Sequence, residues 1–162
     1  MKAGMLCRPY AAKTQQTVPS KAGGASIFHG YGERVNDVKT IKRFSDLEGL
    51  TIERFFNPTG EGLFGFVLAD GREVVLGHDQ DCCESVWLDD QCGDTTDLIG
   101  LPLTSAWVNE EAGESEWGSK TWSFYTLATF AGSVTLRFCG ESNGYYSESV
   151  DMWVDGKRSW EW

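Results

Sequence analysis

The sequence predicts a mainly β chain: a single antiparallel, barrel- or sandwich-like domain with minimal helix, preceded by an extended N-terminal arm. Three observations carry this. Val134, Leu136 and Phe138 alternate with Ser133, Thr135, Arg137 and Cys139, the period-two pattern of a half-buried strand. Turn signals such as Ala69-Asp-Gly71, Phe130-Ala-Gly-Ser133 and Ser142-Asn-Gly144 separate such segments at short spacing, which favours hairpins over crossover helices. Residues 1–40 hold Pro9, Pro19, Gly23, Gly24, Gly30 and Gly32 and sustain no apolar period, so they read as an arm without a core of its own.

The domain is expected to open near Phe44. Ser45 followed by Glu48 has the spacing of a capping box for a very short helix ending at Gly49. Strands are then expected at Leu50–Phe56, Leu63–Leu68 and Arg72–Leu76, with a short one at Ser85–Leu88. Thr95–Ile99 reads as one helical turn, Leu101–Asn109 as a strand and Glu110–Lys120 as a polar acidic loop. Thr121–Thr129, Val134–Phe138 and Tyr146–Val154 complete the strands, and Trp160 and Trp162 follow the last of them. The organisation is therefore a basic arm at 1–43, an acidic β domain at 44–155 and a Trp-rich tail at 156–162.

Charge divides the chain at the same place. Residues 1–45 carry eight Lys/Arg against Glu33 and Asp37, a net of +6, whereas residues 46–162 carry six Lys/Arg against 22 Asp/Glu, a net of −16. No Lys or Arg occurs from Glu73 to Ser119, a stretch with twelve acids. A field of that sign repels phosphate backbones and attracts basic surfaces. Direct nucleic-acid binding by the acidic domain is thus not expected. The candidate partner-binding residues are Arg8, Lys13, Lys21, Arg34 and Lys39 in the arm, with Asp89, Asp90, Asp94 and Asp97 in the domain. No stretch approaches the roughly 18 apolar residues of a membrane span, and no apolar leader segment follows Lys2.

Five cysteines, Cys7, Cys82, Cys83, Cys92 and Cys139, form no regular framework, which argues against a secreted disulfide scaffold and for a reducing compartment. The block from Gly77 to Asp94 offers His78, Cys82, Cys83 and Cys92 as metal ligands. Zinc wants four N/S donors at tetrahedral corners, but adjacent cysteines in an extended chain point apart. The simpler expectation is that these cysteines are small buried hydrophobes and the acids solvated. Cys82 or Cys83 with His78 and Asp79 also has the residue types of an activated nucleophile, though proximity in sequence supplies no attack geometry. Gly60-Glu-Gly-Leu-Phe-Gly65 matches GxGxxG, yet a strand rather than a helix is expected after it, which removes the helix N-terminus a pyrophosphate needs. No cofactor is expected.

Several unusual blocks occur in a fixed order: His78-Asp-Gln-Asp-Cys-Cys-Glu84, Gly93-Asp94 with Asp97-Leu-Ile-Gly100, Thr121-Trp-Ser-Phe-Tyr125, Gly132-Ser-Val-Thr135, and Gly140 through Asp151. With these blocks the chain resembles a family of small phage and prophage proteins known as a domain of unknown function, DUF7448-like, over about Phe44–Asp151. The resemblance implies a phage or phage-like genome and no particular activity. The expected function is a non-enzymatic structural or interaction protein. Its acidic β domain would dock into a larger virion assembly through the arm, with other phage proteins as partners. The alternatives are an intracellular inhibitor whose acidic face mimics nucleic acid against a basic host protein, and a metal-binding enzyme centred on His78–Cys83. Virion or host cytoplasm is the expected location, and an oligomer is compatible with either.

Overall fold

The structure is a computed structural model, and it describes residues 39–59, 62–116 and 118–159. The compact unit begins at Lys39. Nine strands occur among the described residues: β1 Ile52–Phe56, β2 Phe64–Leu68, β3 Glu73–Gly77, β4 Glu84–Cys92, β5 Ser105–Ala112, β6 Ser119–Ala128, β7 Ser133–Ser142, β8 Asp151–Val154 and β9 Lys157–Ser159. Two single 3-10 turns, Phe44–Leu47 and Thr95–Leu98, are the helical elements described. None of these helices is long and apolar enough to cross a membrane.

The strands form two antiparallel sheets and no closed barrel. One has the order β1-β2-β3-β8-β9 and the other β4-β7-β6-β5. Their inner faces share one core. Ile52, Phe66, Leu68, Val74, Leu76 and Met152 come from the first sheet, and Ala106, Tyr125, Leu127, Val134, Leu136 and Phe138 from the second. Two sheets packed face to face bury alternate residues of both in this way. The 99–103 segment stitches β1 to the second sheet, through an isolated parallel bridge Ile52–Ile99 and an antiparallel bridge Thr51–Pro102.

Several elements differ from the sequence reading, each for a physical reason. The first turn is capped by Asp46, whose carboxylate accepts the backbone N–H groups of Lys42 and Arg43 at 2.9 Å. Glu48 instead reaches 58 residues along the chain to accept the N–H of Ala106 at 3.1 Å. Strand β4 runs to Cys92 rather than stopping at Leu88, because its register shifts between Leu88 and Asp90. That bulge breaks the alternation. Strand β5 continues through Glu110 and Glu111, since an edge strand can leave charged residues in water. The tail expected from residue 156 begins instead as β9, joined to β8 by Asp155-Gly156, both with positive φ.

Candidate functional site

The inner face of the four-stranded sheet changes character along its length. In the middle β6 and β7 point Tyr125, Leu127, Val134, Leu136 and Phe138 into the core. Toward one end the same alternation turns Ser119, Thr121 and Ser123 of β6 inward, opposite Ser142, Gly140 and Phe138 of β7. Hydroxyls there need partners once covered. The segment between β7 and β8 supplies one: the Glu148 carboxylate accepts from Ser142 Oγ at 2.8 Å, from Thr121 Oγ1 at 2.7 Å and from Ser119 Oγ. Burial alone would raise the Glu148 carboxyl, but the Ser119, Thr121 and Ser142 hydroxyls outweigh it and hold it below the usual carboxylate value. This is why residues 146–150 do not continue the strand expected at Tyr146–Val154, which shrinks to Asp151–Val154.

The His78–Glu84 block closes the same end. His78 follows β3, and its nearly sealed side chain is 5% exposed. Its Nδ1 donates to the Ser149 carbonyl at 2.8 Å. Nε2 lies 3.7 Å from Glu84 Oε1, and Nδ1 lies 3.7 Å from Asp151 Oδ2. Both ring nitrogens thus face oxygens of the chain, so the imidazole joins β3, β4 and β8. Glu84 accepts backbone N–H groups from Asp81, from Cys83 at 3.1 Å and from Cys82 at 3.4 Å. The Asp81 N–H above all, despite burial, keeps its carboxyl below the usual range. Asp151 binds Arg158 through Oδ1, while its buried Oδ2 has no hydrogen-bond partner among the described residues.

The metal-ligand candidates do not converge. Cys92 ends β4 opposite Thr135, half-buried and disulfide-bonded, so it is neither a free ligand nor the small buried hydrophobe expected, and eight strand residues at about 3.3 Å each carry it some 25 Å from Glu84. Among the described residues no group of three or more His, Cys, Asp or Glu side chains is placed to hold a metal ion. The expected divergence of adjacent cysteines is also not what the fold does: Cys82 and Cys83 Sγ lie 3.0 Å apart. Gly60 of the GxGxxG match lies outside the described residues, and Gly65 is inside β2, with a strand where a dinucleotide site needs a helix.

Of the partner-binding candidates, Arg8, Lys13, Lys21 and Arg34 lie outside the described residues. Lys39 belongs to the compact unit, donating Nζ to the Glu48 carbonyl at 2.7 Å while its own carbonyl accepts from Arg72. Asp89 is bonded to Arg137 at 2.9 Å, with Asp90 at 3.8 Å from the same guanidinium. Asp94 caps the second 3-10 turn through Thr96, whose backbone and hydroxyl hydrogen bonds hold its carboxyl below the usual range. A second acidic group lies in the segment expected as a polar acidic loop and not counted among the partner-binding candidates: Glu110, Glu111, Glu114 and Glu116 all project into solvent from the β5 edge and the segment after it. Their spacing was visible, but their place on a sheet edge depended on knowing the strand order. Beside Glu110 a cleft of about 660 Å³ opens, lined by Lys42, Phe44, Tyr125, Asp151 and Arg158 among others.

Fold and site together define a two-sheet antiparallel β domain with an acidic sheet edge and a polar, carboxylate-closed end. The chain belongs to the DUF7448 family, a domain of unknown function, whose model matches residues 38–152. That match starts one residue before the compact unit, which begins at Lys39. No curated protein matches the chain, and no solved structure does.

Proposed function

We propose that this chain is a non-enzymatic interaction protein whose acidic β domain docks into a larger, virion-type assembly, with the basic residues of 1–43 as its tether. The observation that carries this reading is the exposed row Glu110, Glu111, Glu114 and Glu116, in a stretch from Glu73 to Ser119 without a Lys or Arg. An exposed surplus of charge of one sign steers a basic partner and fixes its orientation. A charged edge strand also resists pairing with another copy of itself, so the same residues keep the sheet edge free for a partner of opposite sign. The resemblance to phage and prophage proteins supplies the setting.

Nucleic-acid mimicry by Asp89, Asp90, Asp94 and Asp97 is the second reading. It is less favoured, because Asp89, Asp90 and Asp94 are engaged by Arg137 and Thr96. The test is the composition of purified particles from cells in which the protein is made. Docking requires the chain in particles at a fixed ratio to the main shell protein. Its absence from them, with the purified chain sedimenting as a free monomer, overturns the proposal.

A further inference from the structure

We propose that Cys82 and Cys83 are a redox-modification site, a vicinal dithiol that closes reversibly to a disulfide by exchange with low-molecular-weight disulfides. The inference is independent of the docking reading and rests on geometry at the β3–β4 connection. Adjacent side chains in a strand point to opposite faces. Here the backbone bends at residues 82–83, because the Glu84 carboxylate gathers the N–H groups of Asp81, Cys82 and Cys83. The bend brings both sulfurs to one side, 3.0 Å apart, about 1 Å from bonding distance. Cys82 is exposed and Cys83 half-buried, so a reagent reaches Cys82 first.

The exchange runs in two steps. The Cys82 thiolate attacks one sulfur of oxidised glutathione, forming a mixed disulfide and releasing one glutathione thiolate. The Cys83 thiolate then attacks Cys82 Sγ, forming the Cys82–Cys83 bond and releasing the second glutathione. The cysteine pair loses two electrons and two protons, and one oxidised glutathione becomes two reduced molecules. In the open dithiol Cys83 is held above its ordinary thiol value, first by its hydrogen bond to Cys82 and then by burial; the closing step needs the Cys83 thiolate and so accelerates as pH rises. Tyr146, from the β7–β8 segment, is pushed up chiefly by its proximity to Cys82.

Adjacent Cα atoms sit about 3.8 Å apart, short of the usual 4.4–6.8 Å of a disulfide. The closed ring is strained and therefore easily reduced, the property of a labile bridge and not of a structural one. Closure also disturbs its neighbours. The Cys82 and Cys83 N–H groups hold Glu84, and the Cys83 carbonyl accepts from Asn143 at 3.2 Å. Cys139, fully buried with its thiol pushed up by that burial, is the inert reference within the same chain.

The experiment incubates the full chain with oxidised glutathione, alkylates it in denaturant and cleaves after glutamate. Cleavage after Glu73 and Glu84 releases Val74–Glu84, which holds Cys82 and Cys83 and no other cysteine. The expected result is this peptide two hydrogens lighter and unalkylated, returning to the doubly alkylated form after dithiothreitol. C83S should instead keep glutathione on Cys82, while the peptide carrying Cys139 is alkylated throughout. A wild-type peptide that stays doubly alkylated, or that holds a lasting glutathione adduct, overturns the proposal.

Discussion

Glu148 lies directly across Gly140: a Cβ on Gly140 would sit 2.6 Å from the Glu148 carbonyl oxygen and 2.7 Å from its Cβ. Strand β7 is bare at this point so that the segment before β8 can descend onto it and deliver the carboxylate to Ser119, Thr121 and Ser142. Gly140→Ala should lift that segment and cost about 1–3 kcal/mol, the usual range for overpacking a tight site. Denaturant unfolding of the two proteins measures it. Equal midpoints would show that the segment yields without loss.

Acid should weaken the fold through the same end. The carboxyls of Glu84 and Glu148 are both held below their ordinary value in the folded chain. In the unfolded chain they titrate normally, so on acidification the unfolded state takes up protons first. Their contribution is present above about pH 4.5 and drains away as pH falls through their lowered folded values. Thermal midpoints of the wild type should therefore fall more steeply between about pH 5 and pH 3 than those of a Glu84→Gln/Glu148→Gln double variant. Parallel curves would assign the acid sensitivity elsewhere.

Phe138 sits at the centre of the shared core, fully buried on β7 with Tyr125 edge-on at 5.7 Å. Phe138→Ala should cost about 3–5 kcal/mol. A small domain has about 5–15 kcal/mol in total, so this variant should unfold at a markedly lower denaturant midpoint. A loss under about 1 kcal/mol would mean that the two sheets do not close over this ring.

How much of this was legible depended on whether local pattern and tertiary demand agreed. Strand β7 was visible because Val134, Leu136 and Phe138 alternate without interruption and all reach the core. Strand β4 looks short in the sequence because the bulge at Asp89 reverses the alternation half-way along. Residues 146–150 looked like strand, with Tyr146 and Val150 in period, but Glu148 is drawn to three hydroxyls distant in sequence. The inward Ser119, Thr121 and Ser123 were the available signal, since hydroxyls on a buried face require a polar partner. The Cys82–Cys83 geometry had no local signal, because it depends on Glu84 folding the backbone back on itself.

The β8–β9 turn places Asp155 at φ 51° beside Gly156 at φ 72°, the paired positive values of a type I′ hairpin. The Asp155 side chain also accepts the Glu73 N–H at 2.9 Å. Asp155→Asn keeps both properties and should change stability by less than about 0.5 kcal/mol. Asp155→Ala loses both and should cost about 1–2 kcal/mol. Chemical unfolding of the pair decides it, and equal effects would show that the turn does not depend on this side chain.

The acidic β5 edge is the feature on which the proposed docking rests. Glu110, Glu111, Glu114 and Glu116 are exposed and apart from the core, so reversing all four to lysine should leave the fold intact. The decisive measurement is the fraction of chain that co-sediments with purified particles, wild type against this fourfold variant, at low and at raised salt. Docking through this edge predicts that wild type co-sediments at low salt and is released as salt screens the charges, and that the variant stays in the supernatant at both. Equal co-sedimentation of the two proteins, insensitive to salt, would contradict it.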